Sequence, residues 1–193
     1  MTISEIYTAI GERVDDPDKT QYANRYENVF ISALTELIKL RDENGFYIFS
    51  PEEYPELAQP EQIEPSFING WYKHEISGTE RIMLIRSVYV DPISENAGIL
   101  FVEKTFLDLQ NIMRNMYLKP YGTEAYWAKK GNGIYLACLY SERLRVNLDI
   151  IKNPDPSSWG TSNLETVKGY GRSFLNACIS KASEILRKEI GLE

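Results

Sequence analysis

Apolar residues recur at helical spacing at both ends of this chain, whereas the middle is dominated by β-branched and aromatic residues gathered into short runs. Ile3, Ile6, Ile10 and Val14 share one face of a predicted first helix. Thr2 and Glu5 have the Ser/Thr-x-x-Glu spacing of a capping box, in which each side chain satisfies a free amide of the first turn. This helix is expected to end near Val14, where Asp15, Asp16, Pro17 and Asp18 break it and offer short carboxylates to the amides that follow. Tyr22, Tyr26, Val29, Phe30, Ala33, Leu34, Leu37 and Ile38 predict a longer core helix over residues 22–40. Beyond Gly45, Ser50 and Pro51 should open a short helical turn that Pro55 stops, and Pro60 and Pro65 bracket an expected connector.

Residues 67–151 read as β-rich. Strands are predicted at 67–76 and 81–90, joined as a hairpin through Ser77, Gly78, Thr79 and Glu80, with a third at 98–104. Thr105 can cap an intervening helix whose apolar face is Phe106, Leu109, Ile112, Met113 and Met116, and Pro120 lies past its end. Strands at 125–130 and 134–140 flank the permissive turn Gly131, Asn132 and Gly133, and 144–151 supplies a last strand. The Ser162 and Glu165 pair is expected to open a C-terminal helix through Tyr170, Phe174, Cys178, Ala182 and Leu186, its first turns weakened by Gly169 and Gly171. The fold class expected is α+β: a small bundle of two N-terminal helices and a C-terminal helix with a β-rich segment inserted between them. The parts are 1–65, 66–156 and 157–193 within one overall domain.

With 193 residues, 43% hydrophobic and 25% charged, the chain can bury a core without disulfides or metals. Its 28 acidic residues outnumber 21 basic ones, and a net charge of -7 gives no footprint for binding nucleic acid through phosphates. The N-terminus has acids in its first turns and no uninterrupted apolar run, so it does not read as a signal peptide, and no stretch approaches the roughly 18 apolar residues of a membrane span. A soluble, intracellular protein is expected. Aromatic residues reach 12%, with 13 tyrosines and 3 tryptophans, side chains enriched at protein interfaces.

Candidate chemistry is sparse. His74 is the single histidine, so any Ser-His or Cys-His mechanism must pass through it, yet its neighbours Lys73 and Glu75 should point to the opposite face of a strand. Cys138 and Cys178 lack the spacing of a zinc or redox site and read as buried thiols outside any disulfide. The acidic run at 15–18 lacks the closing glutamate of a calcium loop. Phe174 stands where a dinucleotide fingerprint after Gly169 and Gly171 would need its third glycine. Lys129 and Lys130 beside Tyr126 and Trp127 form a basic-aromatic cluster of the kind that stacks bases, or else a solvated hairpin tip. No catalytic residue, cofactor or metal is assigned on this reading, and assembly with other proteins is expected ahead of catalysis.

The opening MTISEIYTAIGERVDDPDKTQYANRYENVFISALTELIKL, a short helix, an acidic break and a longer helix, resembles the start of head-to-tail connector ring proteins of tailed bacteriophages. The aromatic strand, glycine turn, further strands and proline stop of EAYWAKKGNGIYLACLYSERLRVNLDIIKNPDP resemble their β segment, and the closing helix from Leu164 their C-terminal helix. The resemblance implies a non-enzymatic virion protein made in the host cytoplasm. It implies a ring of identical subunits, commonly twelve, below the portal, joining capsid to tail with DNA passing through the lumen. Portal and tail or neighbouring ring proteins would be its partners. On that basis Tyr126, Trp127, Tyr135 and Tyr140 are candidate lateral contacts, and Arg187 and Lys188 candidates for stacking on an acidic neighbour. The competing readings are a small-ligand-binding or enzymatic α+β domain with an aromatic-lined pocket, and a regulatory protein that uses the Lys129 and Lys130 edge.

Overall fold

The computed structural model describes residues 1–16, 18–68, 71–76, 82–90, 99–139 and 144–192. In chain order its elements are α1 (Ile3–Arg13), α2 (Tyr26–Lys39), β1 (Ala58–Ile63), β2 (Ser66–Ile68), β3 (Trp71–Glu75), β4 (Ile82–Val90), β5 (Val102–Glu103), α3 (Phe106–Arg114), β6 (Ala125–Lys130), β7 (Gly133–Cys138), β8 (Val146–Lys152) and α4 (Arg172–Ile190). Single 3₁₀ turns occupy Pro51–Glu53 and Pro156–Ser158. The chain is a mixed α+β protein that divides into two compact units, a helical one of Met1–Ala58 with Asn153–Glu193 and a β-rich one of Gln59–Lys152. Among the described residues, no helix is long and apolar enough to cross a membrane.

In the helical unit, α4 packs against both α1 and α2. The predicted capping box of α1 is present: the Glu5 amide donates to Thr2 Oγ1 and the Thr2 amide to Glu5 Oε2. The α1 face that the periodicity selects is buried at Ile6, Ile10 and Val14, and α2 buries Val29, Phe30, Ala33, Leu34 and Ile38. Aromatic rings finish this core, with Phe30 edge-on to Trp159 and Phe49 edge-on to Phe174.

The second helix begins at Tyr26, four residues later than its periodicity predicts, and the cause is Asp16. Its carboxylate, 4% exposed, accepts the amides of Thr20, Gln21 and Tyr22 at 3.1, 3.2 and 3.1 Å and the Tyr26 hydroxyl at 2.6 Å. Amides so engaged are held in a tight turn in place of a helix. The hydrogen bond from Tyr26 and those from the backbone hold the Asp16 carboxyl below its ordinary value of 3.8 against the opposing effect of burial. Burial and the neighbouring carboxylate push the Tyr26 hydroxyl up.

The C-terminal helix also starts late, at Arg172, and Ser162 and Glu165 do not cap it. Asn163 Oδ1 instead accepts the amides of Glu165 and Thr166, making a local turn. Gly169 then takes φ +76°, and a Cβ there would lie 2.9 Å from Pro55 Cγ. Beside it, the Gly171 amide donates to the Glu53 carbonyl at 2.8 Å, and Ser173 Oγ donates to the Glu53 carboxylate. The glycines that weaken a helical reading here are the residues that let segment 169–171 lie flush against 53–55.

In the β-rich unit the sheet orders are β1-β8-β4 and β2-β3-β7-β6-β5. Residues 99–103 link the two. The Val90 amide donates to Ile99 and the Phe101 amide to Val88, after which Val102 and Glu103 pair in parallel with Tyr126 and Trp127. Alternate residues from both sheets form one apolar cluster, including Tyr72, Ile85, Val88, Trp127, Ile134, Leu136, Val146, Leu148 and Ile150. Ile85 and Val88 both join it although their separation is odd, because the β4–β8 register shifts between Ile85 and Ser87. That extra residue restores the inward face, and Ser87 is left hydrogen-bonded to its cross-strand partner Asp149. The outer face of the five-stranded sheet is covered by α3, where Leu109 packs on Ala128 and Ala137.

Several local predictions are corrected. Ser66–Ile68 and Trp71–Glu75 form two short antiparallel strands, β2 and β3, and β3 pairs with β7 while β4 pairs with β8 in the other sheet. The proposed 67–90 hairpin is therefore absent from the pairing, and its turn at 77–80 lies outside the described residues. The connector around Pro60 is strand β1, where proline is tolerated because β1 is an outer strand. The third strand shrinks to Val102–Glu103. The α3 helix stops at Arg114, which leaves Met116 outside the apolar face and exposed. The hairpin at 125–138 is as predicted, with Gly131 at φ +57°, a sign that tight hairpin turns require.

Two substitutions test these constraints. Tyr26→Phe removes a hydroxyl donated to a buried carboxylate and should lower Tm by roughly 3–10 °C. In the same variant the Asp16 pKa should move back toward its ordinary value, read by NMR titration. Because the folded pKa is depressed, the stability that Asp16 contributes is present above the unfolded value of 3.8 and is lost as pH falls through the lower folded value. Tyr26→Phe should therefore lose more stability at neutral pH than at pH values below that window. Gly169→Ala places a side chain at a left-handed φ against the Pro55 ring and should cost about 1–3 kcal/mol in urea unfolding, with no change of fold by circular dichroism.

Candidate interaction surfaces

The lateral contacts expected from sequence are distributed over both faces of one sheet. Tyr126 and Trp127 are consecutive in β6, so their side chains point to opposite faces. Trp127 is 3% exposed within the apolar cluster between the sheets and offers no area to a neighbour, which corrects its assignment as an interface residue. Tyr126 and Tyr135 face outward and pack, half-buried, against the small cluster beneath α3. The Tyr135 ring lies 4.8 Å from Phe106 and 6.3 Å from Trp71, both edge-on, and Lys104 Nζ stands 5.5 Å above the Tyr126 ring. Tyr140 lies outside the described residues. Lys129 and Lys130 are exposed where β6 ends, and Lys130 Nζ sits 4.4 Å over the Phe106 ring. Its ammonium is thus already engaged by an aromatic face of its own unit.

Apart from Met116, which the periodicity assigns to the face of α3, the larger exposed apolar surface in this unit comes from residues that the periodicity does not single out. At one end of the five-stranded sheet, β2 exposes Phe67 and Ile68. At the other end, Leu100 and Val102 point outward on either side of the buried Phe101. The connection from α3 into β6 adds Met116, Tyr117 and Tyr121, the tyrosines 87% and 83% exposed. Their only sequence signal is composition, a run of large apolar residues around Pro120 that looks like the tail of α3 until that helix is seen to end at Arg114.

In the helical unit, the ends of α1 and α4 border a cleft of about 470 Å³ lined by Arg13, Ser180, Ser183, Glu184, Arg187 and Leu192. Arg187 Nε and Nη2 donate to the Arg13 carbonyl at 3.1 and 2.6 Å, satisfying a carbonyl at the end of α1. Arg13 Nη1 donates to Ser180 Oγ at 2.6 Å. Lys188, the other predicted stacking residue, lies 2.9 Å from Glu184, which Lys181 also approaches at 3.2 Å. Hydrogen bonds from Lys188 and then Lys181 hold the Glu184 carboxyl below its ordinary value. The structure therefore brings Arg187 together with Arg13, a partner no spacing rule could find across the length of the chain.

His74 is half-buried in β3 opposite Ile134. Among the described residues, no group of three or more His, Cys, Asp or Glu side chains is placed to hold a metal ion. Neither cysteine is in a disulfide. Cys178 is fully buried in α4, as expected, whereas Cys138, at the end of β7, is only partly buried. No protein-family model matches this chain, and comparison with curated proteins finds no similar sequence.

Burial pushes the Cys178 thiol up from its ordinary value, so its thiolate is scarce at neutral pH. In the native protein a thiol reagent should label Cys138 first and Cys178 only on unfolding. Peptide mass mapping of the labelled chain distinguishes this order from simultaneous labelling, which would contradict the packing of α4.

Proposed function

We propose that the chain is a non-enzymatic structural protein of a bacteriophage virion, assembling into a homo-oligomeric ring in the head-to-tail connector below the portal. Such a ring joins capsid to tail and lets DNA pass through its lumen. The observation that carries this reading is the presence of two unlike apolar surfaces at the two ends of one sheet. Phe67 and Ile68 lie on β2, and Leu100 and Val102 lie at the β5 end. Large apolar side chains gathered at sheet margins invite pairing with another chain. When the two surfaces differ, the contact is head-to-tail, and head-to-tail contacts close into rings when the rotation allows.

Charge supports the same reading. A net charge of -7 disfavours tight phosphate binding, which suits a lumen through which DNA slides. The resemblance of the helical and β segments to connector proteins names the assembly, and the exposed margins supply a physical reason for self-association.

The protein, purified alone and mixed with the candidate portal from the same genome, should give closed rings by electron microscopy and a discrete high-mass species by mass photometry. Phe67→Asp and Val102→Asp, each at one margin, should shift that species toward the monomer while leaving the circular dichroism spectrum and Tm within a few degrees of the parent. A chain that stays monomeric with every neighbouring gene product, or variants that assemble as well as the parent, would sink the ring.

A further inference from the structure

We infer that the cleft between the ends of α1 and α4 is a binding site for an acidic segment of a partner protein, with Arg13 and Arg187 receiving its carboxylates. The inference goes beyond the ring, since such a segment can bind whether or not the subunits assemble. Three observations carry it. First, the two guanidiniums are held together by the chain itself: Arg187 grips the Arg13 carbonyl with Nε and Nη2, and Arg13 spends Nη1 on Ser180 Oγ. Each guanidinium has five N–H donors, so both keep donors to spare. Second, neither arginine lies within ion-pair distance of a carboxylate among the described residues, although acids outnumber bases in this chain. The one acid lining the cleft, Glu184, is occupied by Lys181 and Lys188. Third, the lining ends in exposed Leu192, an apolar contact suited to a peptide side chain.

These features select among occupants. Arginine recognises carboxylates with two parallel N–H donors, which gives both energy and geometry. A nucleic-acid backbone would gain nothing from Leu192, and a protein of net charge -7 gives its run of phosphates no wider basic surface to follow. A basic segment would meet two uncompensated cations. An acidic peptide carrying an apolar residue supplies carboxylates for Arg13 and Arg187 and a side chain for Leu192.

The test uses the full chain and a blocked peptide of glutamate and aspartate with one leucine, followed through the Arg Nε–Hε signals in 1H–15N spectra. Saturable shifts confined to Arg13 and Arg187 are expected, with affinity falling as salt rises and by about tenfold in Arg13→Ala. Among the described residues, the hydrogen bond of the Arg13 side chain is the exposed one to Ser180, so Arg13→Ala should fold as the parent does. Arg13→Lys keeps the charge but not the paired donors, and should bind with intermediate affinity. Absent shifts, equal binding of the lysine counterpart of the peptide, tighter binding of a DNA duplex, or an unchanged affinity in Arg13→Ala would each overturn the assignment. The readout is independent of ring formation, so failure here leaves the mass measurement of assembly intact, and a monomeric chain that binds the peptide leaves this site standing.

Discussion

The placement of β1 beside β8 is the constraint on which the rest depends. These are the first and last strands of the β-rich unit and neighbours in the three-stranded sheet. Gln62 meets Asn147 and Glu64 meets Arg145, links that run in opposite directions along the two strands. The chain therefore enters and leaves the β-rich unit side by side. Without that closure, everything between Ala58 and Asn153 would be an open loop whose closure entropy the packing of α4 on α1 and α2 would have to offset alone. Closing a long loop is cheaper than intuition suggests, at about 0.6 kcal/mol for each doubling of its length. One strand pair with a buried face can meet that cost, and Val146, Leu148 and Ile150 supply such a face on β8.

Within the helical unit the ordering groups are polar. Asp16 collects three backbone amides and a tyrosine hydroxyl, and Glu53 collects Gly171 and Ser173. Asp16 sits where α2 would otherwise extend further and delays its start, whereas Glu53 is only partly buried and ties down Gly171 through its backbone carbonyl just before α4. A buried carboxylate is tolerable only when its oxygens are satisfied, so Asp16 dictates the path of the chain around it. The helices supply the apolar faces, but Asp16 determines where that of α2 begins.

The surfaces left over are those on which the proposed assembly rests. Its titratable groups with shifted pKa values are engaged in packing, in the Asp16 turn or in surface ion pairs such as Lys73 with Glu75 and Lys181 with Glu184. What stands out to solvent is large apolar side chains at two sheet margins and a pair of arginines at the end of a helix pair.

Helix periodicity by itself determined the α1 face, the capping box at Thr2 and Glu5 and the core stripe of α2, because these depend on neighbours within one or two turns. The 125–138 hairpin was legible for the same reason, its turn glycine and strand alternation being local. Tertiary structure alone decided the rest. Strand β4 could not be told from a partner of β3 by its residues, since pairing with β8 is a choice among distant strands. Trp127 reads as a surface aromatic until the second sheet covers it, and Tyr126 beside it reads the same while facing the other way. Ser162 and Glu165 had the spacing of a helix start, but Asn163 and the Gly169 contact with Pro55 postpone α4 to Arg172. The arginine pair was hidden for the same physical reason: Arg13 and Arg187 meet only because α1 and α4 pack together, and sequence carries no record of which helix ends will share a corner.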